Sequence, residues 1–149
     1  MTHDRQADAF HAEAVPEGYE PLFRTSPFLD ATGPYYYRRQ DEGFTVGLRV
    51  EPKHTNASGT IHGGLIATIA DVSLGYVTAF SAQPPLLMVT ANLSIDYVGI
   101  ARIGEWVEAR VNVIKTGSRM AFAEALISAE GRPVARTSAV FAVVANRPE

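Results

Sequence analysis

"GTIHGGLIATIADVSLGYVTAF" (Gly59–Phe80) is a long apolar run holding a single acid, Asp71. It is too long for a strand and lacks strict alternation, so it predicts a helix. Apolar residues fall on nearly every face, the pattern of a helix enclosed by other structure. Small residues at Gly64, Ala67, Ala70 and Gly75 let a sheet approach closely, and Gln83-Pro84-Pro85 stops the run. A buried carboxylate without a partner costs several kcal/mol, so Asp71 is paired, turned to water or kept for chemistry. Ile61–Phe80 is also about membrane-spanning length. An aspartate at mid-helix costs about 2.5–3.5 kcal/mol on insertion scales, which favours a buried helix in a soluble protein, with the cytoplasm as the default compartment.

Strand signals flank this helix. "YYYRRQ" and "FTVGLRVEP" precede it, joined by the turn Asp41-Glu42-Gly43. After it, "LLMVTANLSIDYV" alternates with Val89, Ala91, Leu93, Ile95 and Tyr97 on one side, which leaves Thr90 on the other unless a local bulge turns it inward. "EWVEARVNVIK", "RMAFAEALISAE" and "PVARTSAVFAVV" follow, separated by Gly117-Ser118 and Gly131, as if the last four strands formed an antiparallel meander. The expected class is α+β, one long central helix wrapped by a five- or six-stranded antiparallel sheet. Residues 1–33 read as an N-terminal extension, with a short helix over Asp4–Ala14 ended by Pro16 and "PLFRTSPFLDATGP" packing as a loop. Residues 34–149 read as a single domain.

Composition narrows the chemistry. The 149 residues are 46% hydrophobic and 19% charged with net charge −3, which argues against a nucleic-acid partner. Cysteine is absent, so disulfides, thiolate catalysis and Cys-based metal sites are excluded. His3, His11, His54 and His62 show no metal-ligand spacing, and no metal or separate cofactor is expected. Asp4, Arg5, Asp8, Glu13 and Glu17 interrupt the region where a secretory signal would need an apolar core.

At the loop–helix junction stand Asn56, Gly59, His62, Gly63 and Gly64, an N-x-x-G-x-x-H-G-G pattern with Asp71 nine residues after the histidine. Y-x-x-x-A-x-x-G-E runs through Tyr97, Ala101, Gly104 and Glu105, and K-x-G-x-x-x-A-F through Lys115, Gly117, Ala121 and Phe122. In this element order the chain from about Gly33 to Val144 resembles the hotdog-fold thioesterases of the PaaI type, which hydrolyse acyl-CoA thioesters. The resemblance implies that Asp71 is the catalytic carboxylate, as base or nucleophile, and that the Gly63 N–H polarises the thioester carbonyl. It further implies that Asn56 helps hold that oxygen, that His62 adjoins it, and that Thr90 positions the attacking water. Coenzyme A belongs to the substrate, and Gly64, Arg102, Lys115, Gly117, Ser118 and Arg119 are candidates for holding it. Arginine suits phosphate through its planar fork.

Physical chemistry tests these roles separately. A helix N-terminus offers N–H groups without intrahelical partners at the positive end of the macrodipole. Glycine at Gly63 removes the Cβ that would obstruct an approaching oxygen. Yet eight helical residues put Asp71 roughly 12 Å along the axis and about 80° around it from Gly63. Asp71 therefore either has nothing to do with that donor or serves the Gly63 of another subunit. Two antiparallel helices across a two-fold axis would complete two sites, so a homodimer, or a homotetramer built from it, is expected.

Plainer roles compete. Gly63 and Gly64 would also permit close packing, His62 would anchor a loop, and Asn56 would serve as a turn former. Arg102, Lys115 and Arg119 would be solvated surface. Two rival functions stand beside hydrolysis: a hotdog enoyl-CoA hydratase or dehydratase, and a non-catalytic acyl-CoA binding or sensing module.

Overall fold

The computed structural model describes residues 14–144. The helix expected over Asp4–Ala14 therefore lies outside the described residues except for Ala14. Strands β1 (Glu20–Pro21), β2 (Tyr36–Arg39), β3 (Phe44–Arg49), β4 (Met88–Tyr97), β5 (Trp106–Thr116), β6 (Met120–Ala129) and β7 (Arg132–Val143) form one antiparallel sheet. Their spatial order is β1-β2-β3-β5-β6-β7-β4. Helix α2 (Gly63–Phe80) lies against the inner face of β3 to β7, which is the hotdog arrangement. Six strands make the body of the sheet, and the two residues of β1 add an edge beside β2.

Burial explains the order. Every residue of β3 from Phe44 to Leu48 is buried, because the strand is sandwiched in the sheet under α2. Leu65, Ile66, Ile69, Leu74 and Val77 of the helix meet Val46, Leu48, Val107, Ile127 and Phe141 in one core. Helix α2 has the length and apolarity to cross a membrane by composition alone. Half of its residues, including Ile69, Ala70 and Leu74, are buried in this core, so it acts here as the central core helix. The β2–β3 hairpin closes at Gly43, whose φ of +75° suits glycine, with Gln40 N–H donating to the Gly43 carbonyl at 3.1 Å.

Two expectations need correction. The loop read over Pro21–Pro34 contains a short helix, α1 (Pro27–Thr32). Ser26 caps it by accepting the Leu29 N–H, and Pro27 starts it where a missing N–H is harmless. The four strands after α2 do not form a single meander. Strands β5, β6 and β7 do, but β4 pairs with β7 alone. The helix crosses the sheet before β4 begins, so β4 starts on the far side, and the segment after Tyr97 returns the chain to β3. Ten residues of β4 are thus left at an edge with one side unpaired.

Candidate active site

The start of α2 is shaped by its own loop. Asn56 Oδ1 accepts the Ser58 and Thr60 N–H groups at 3.0 and 3.2 Å, and Asn56 Nδ2 donates to Thr60 Oγ1 at 3.1 Å. The loop is bridged at Thr55–Ile61 and tied to the β4–β5 connection at Thr60–Arg102. His54 is buried below it, with Nδ1 accepting the Glu51 N–H at 2.9 Å and Nε2 donating to the Thr32 carbonyl at 2.7 Å. Burial pushes its pKa below the ordinary histidine value, against the opposing pull of the Thr32 bond. His54 is thereby held neutral.

His62 is the N-cap of α2 and accepts the Gly64 N–H on Nδ1 at 2.8 Å. Its backbone carbonyl takes the N–H groups of Leu65 and Ile66. Among the described residues, one N–H of the first turn has no partner, that of Gly63. Gly64, proposed with it from the sequence, has its donor committed to the cap. Tyr97 covers the other side of Gly63: its hydroxyl donates to the Gly63 carbonyl at 2.8 Å. A Cβ at Gly63 would stand 3.3 Å from the Tyr97 ring.

Two turns further, Asp71 is half-buried and meets Thr90, whose Oγ1 donates to Asp71 Oδ1 at 2.7 Å. Strict alternation turns Thr90 away from the helix, but a bulge changes the phase. Thr90 pairs with Phe141 and Asn92 with Val140, leaving Ala91 as the extra residue. Val89, expected inside, is 56% exposed as a result. Asp71 and Thr90 stand on the wall of a cavity of about 730 Å³. Tyr76, Phe80, Val72, Met88 and Phe141 supply much of its apolar surface.

Both groups belong to one helix, so Gly63 and Asp71 of a single chain are about 12 Å apart along its axis. The basic candidates divide the same way. Arg102 sits beside the Gly63 loop through its bridge to Thr60, in a turn fixed by Glu105, which accepts the Arg102 N–H at 2.7 Å. Lys115 and Arg119 flank the β5–β6 hairpin, where Gly117 N–H donates to the Met120 carbonyl and Ser118 forms the exposed turn. This hairpin reaches the β7 end that pairs with Met88 and Val89, on the Thr90 side of the sheet. Lys115 and Arg119 are exposed and make no ion pair among the described residues.

Sequence reasoning missed two contributors. Tyr97 was placed with the apolar side of β4, and its bond to Gly63 has no local signal. Residues 24–29 form part of the cavity wall, and the Ser26-Pro27 pair was the available sign of the helix there.

Comparison with known proteins follows the same lines. A profile of the thioesterase superfamily matches residues 58–143. A Pseudomonas aeruginosa protein with a provisional esterase name is 51% identical over 128 residues, 85% of this chain and 96% of its own length. Mouse acyl-coenzyme A thioesterase 13 is 36% identical over 76 residues, 51% of this chain, and the match spans about half (54%) of the mouse protein. A Bacillus halodurans protein crystallised with CoA superposes with a TM-score of 0.67 at 27% identity, over 73% of this chain and 72% of its own.

Proposed function

The chain belongs to the thioesterase superfamily, and on that premise we propose that it hydrolyses an acyl-CoA thioester to the free acid and CoA, in sites shared between two protomers. The observation that carries this reading is on the open edge of β4. Thr90 on that strand holds Asp71, and Tyr97 on the same strand holds Gly63. An antiparallel two-fold axis through the middle of β4, near Leu93, sets the Thr90 end of one protomer against the Tyr97 end of its mate. The acid of one chain then faces the free N–H of the other. Lys115 and Arg119 of the first chain approach Arg102 of the second, which gathers cations for the phosphates of CoA.

The chemistry uses each group once. Thr90 occupies Oδ1, so Oδ2 of Asp71 takes a proton from water while the water oxygen attacks the thioester carbonyl. The oxyanion that forms is received by the partner's Gly63 N–H. Collapse expels the CoA thiolate, which recovers the proton, leaving carboxylic acid and thiol. His62 holds the turn so that Gly63 is the exposed donor. Asn56 shapes the loop and keeps one amide hydrogen for the same oxygen. The CoA-bound Bacillus halodurans structure and the thioesterase name of the mouse relative support the substrate class.

Mixed dimers test the sharing directly. Gly63→Pro removes the donor in a backbone that accepts proline, because proline is favoured at the first helical position and His62, at φ −68° and ψ 135°, already has the extended conformation a following proline needs. Its Cβ stands 3.3 Å from the Tyr97 ring, a contact that Gly63→Ala makes without losing the N–H. Asp71→Asn and Gly63→Pro are each expected to be nearly inactive in CoA release. Coexpressed, half of the dimers are mixed and each has one intact site, so about a quarter of wild-type activity returns. No recovery in demonstrably mixed dimers overturns the shared site. Undiminished CoA release by Asp71→Asn overturns the role of the acid. Saturable acyl-CoA binding without CoA release in wild type leaves a binding module instead.

A further inference from the structure

Helix α2 faces the cavity with two residues per turn, among them Asp71, Val72, Gly75, Tyr76, Ala79 and Phe80. The opposite walls come from residues 24–29 and 85–88, and residues 24–29 lie outside the superfamily match. At the far end the Ala79 carbonyl accepts the Leu86 N–H at 3.0 Å, which ties the segment after α2 back to the helix beside Phe80 and Pro85. Gly75 is the unusual member of this row. A mid-helix glycine destabilises the helix, and the fold does not require one here. A Cβ at Gly75 would meet nothing nearer than the Phe141 ring at 3.8 Å, an ordinary contact, and its φ is not positive. What the glycine supplies is empty space in the cavity wall, one turn beyond Asp71.

We infer that this cavity receives the acyl chain and that Gly75 sets its usable length, so that the preferred substrates are thioesters of unbranched apolar acids of medium length. This rests on the thioesterase reading above. From Asp71 to Ala79 is eight residues, roughly 12 Å along the helix. An extended alkyl chain advances about 1.25 Å per bond of about 1.5 Å, so the trough holds about eight to ten carbons. The cavity volume lies within the range usual for small-molecule sites. Gly75 is about 6 Å from Asp71, and Ala79 about 12 Å. A side chain at Gly75 therefore blocks the trough near its middle, and one at Ala79 near its end.

CoA release from acetyl-, butanoyl-, hexanoyl-, octanoyl-, decanoyl- and hexadecanoyl-CoA tests this in wild type, Gly75→Ala, Gly75→Leu and Ala79→Leu. Wild type is expected to have its highest kcat/KM at octanoyl or decanoyl. In Gly75→Leu the decanoyl-to-butanoyl ratio of kcat/KM falls by about a hundredfold. Ala79→Leu lowers the decanoyl ratio but keeps the hexanoyl one. Gly75→Ala, whose methyl fits without displacement, shifts the profile in the same direction by less and serves if the leucine variant does not fold. Profiles unchanged by all three substitutions, or a wild type indifferent to chain length, overturn the assignment. If wild type releases CoA from none of these, the hydrolysis reading falls by itself. Calorimetric binding of decanoate then decides the cavity: weakening by about tenfold or more in Gly75→Leu supports it, and equal affinity rejects it.

Discussion

The two ends of the proposed site are built differently. At the Gly63 end, one continuous stretch from His54 to Gly64 makes most of its own contacts: Asn56 shapes the loop, His62 caps the helix, and Gly63 is left with the free donor. At the Asp71 end nothing is local. Asp71 is on α2, its hydroxyl partner is nineteen residues away on β4, and the cavity wall begins at Arg24. The donor end is therefore a property of a short segment, whereas the acid end exists only where three distant segments meet. A local device depends little on strand register. An assembled one fails when any of its parts shifts.

Substitutions separate the two ends. The largest effect is expected at the acid: Asp71→Asn loses about 10²–10⁴ in kcat with melting temperature and oligomeric state retained, measured as CoA release beside thermal unfolding. At the donor end, Gly63→Pro costs about 10²–10³ in kcat, as removal of one oxyanion donor does. An equal loss in Gly63→Ala, which keeps the N–H but crowds Tyr97, would move the importance of Gly63 from hydrogen bonding to packing.

Smaller effects probe the supports. Thr90→Val keeps the shape and removes the bond to Asp71, and a hydrogen bond to a charged group is worth about 1.5–3 kcal/mol, so kcat falls about tenfold or more. Thr90→Ser restores it, and a Thr90→Val enzyme with wild-type kcat would free the acid end from its dependence on β4. Gly75→Ala is expected to stabilise the fold by about 0.5–1 kcal/mol, seen as a melting temperature raised by a few degrees.

The smallest effect is a pH dependence at the donor end. His54 has its folded pKa lowered from 6.5 by burial, so above about 6.5 neither folded nor unfolded chain is protonated there and it adds no slope. As pH falls through that value the unfolded chain takes up the proton first, and stability declines until the folded pKa is reached. Melting measured from about pH 7.5 to about 5.5 should therefore drop more steeply in wild type than in His54→Gln. Parallel curves would remove His54 from the pH response.

Much was legible in the chain itself. The helix over Gly63–Phe80 follows from length and all-round apolarity, and the antiparallel strands from alternation and turn residues. His62, Gly63 and Gly64 could be placed at a helix start because the turn formers Asn56, Ser58 and Gly59 stand just before the apolar run. The same reasoning read a six-residue helix at Pro27–Thr32 as loop, because its Pro and Gly punctuation outweighed the cap that Ser26 provides. Strict alternation alone sets Thr90 on the side of β4 away from the helix; a bulge could turn it inward, and that bulge is recorded in the pairing of Ala91's neighbours with β7 and not in the alternation of β4.

Sequence by itself thus determined which segments are helix and strand, which face of each is apolar, and that Gly63 and Asp71 are too far apart along one helix to act together. Local hydrogen bonding and side-chain periodicity suffice for that. Only the tertiary structure decided that β4 lies at an open edge beside β7, that its bulge brings Thr90 to Asp71 and its end brings Tyr97 to Gly63, and that the segment from Arg24 to Leu29 lines a cavity. Those outcomes depend on register and packing between segments far apart in the chain, where the shared burial of many side chains outweighs the preference of any one stretch.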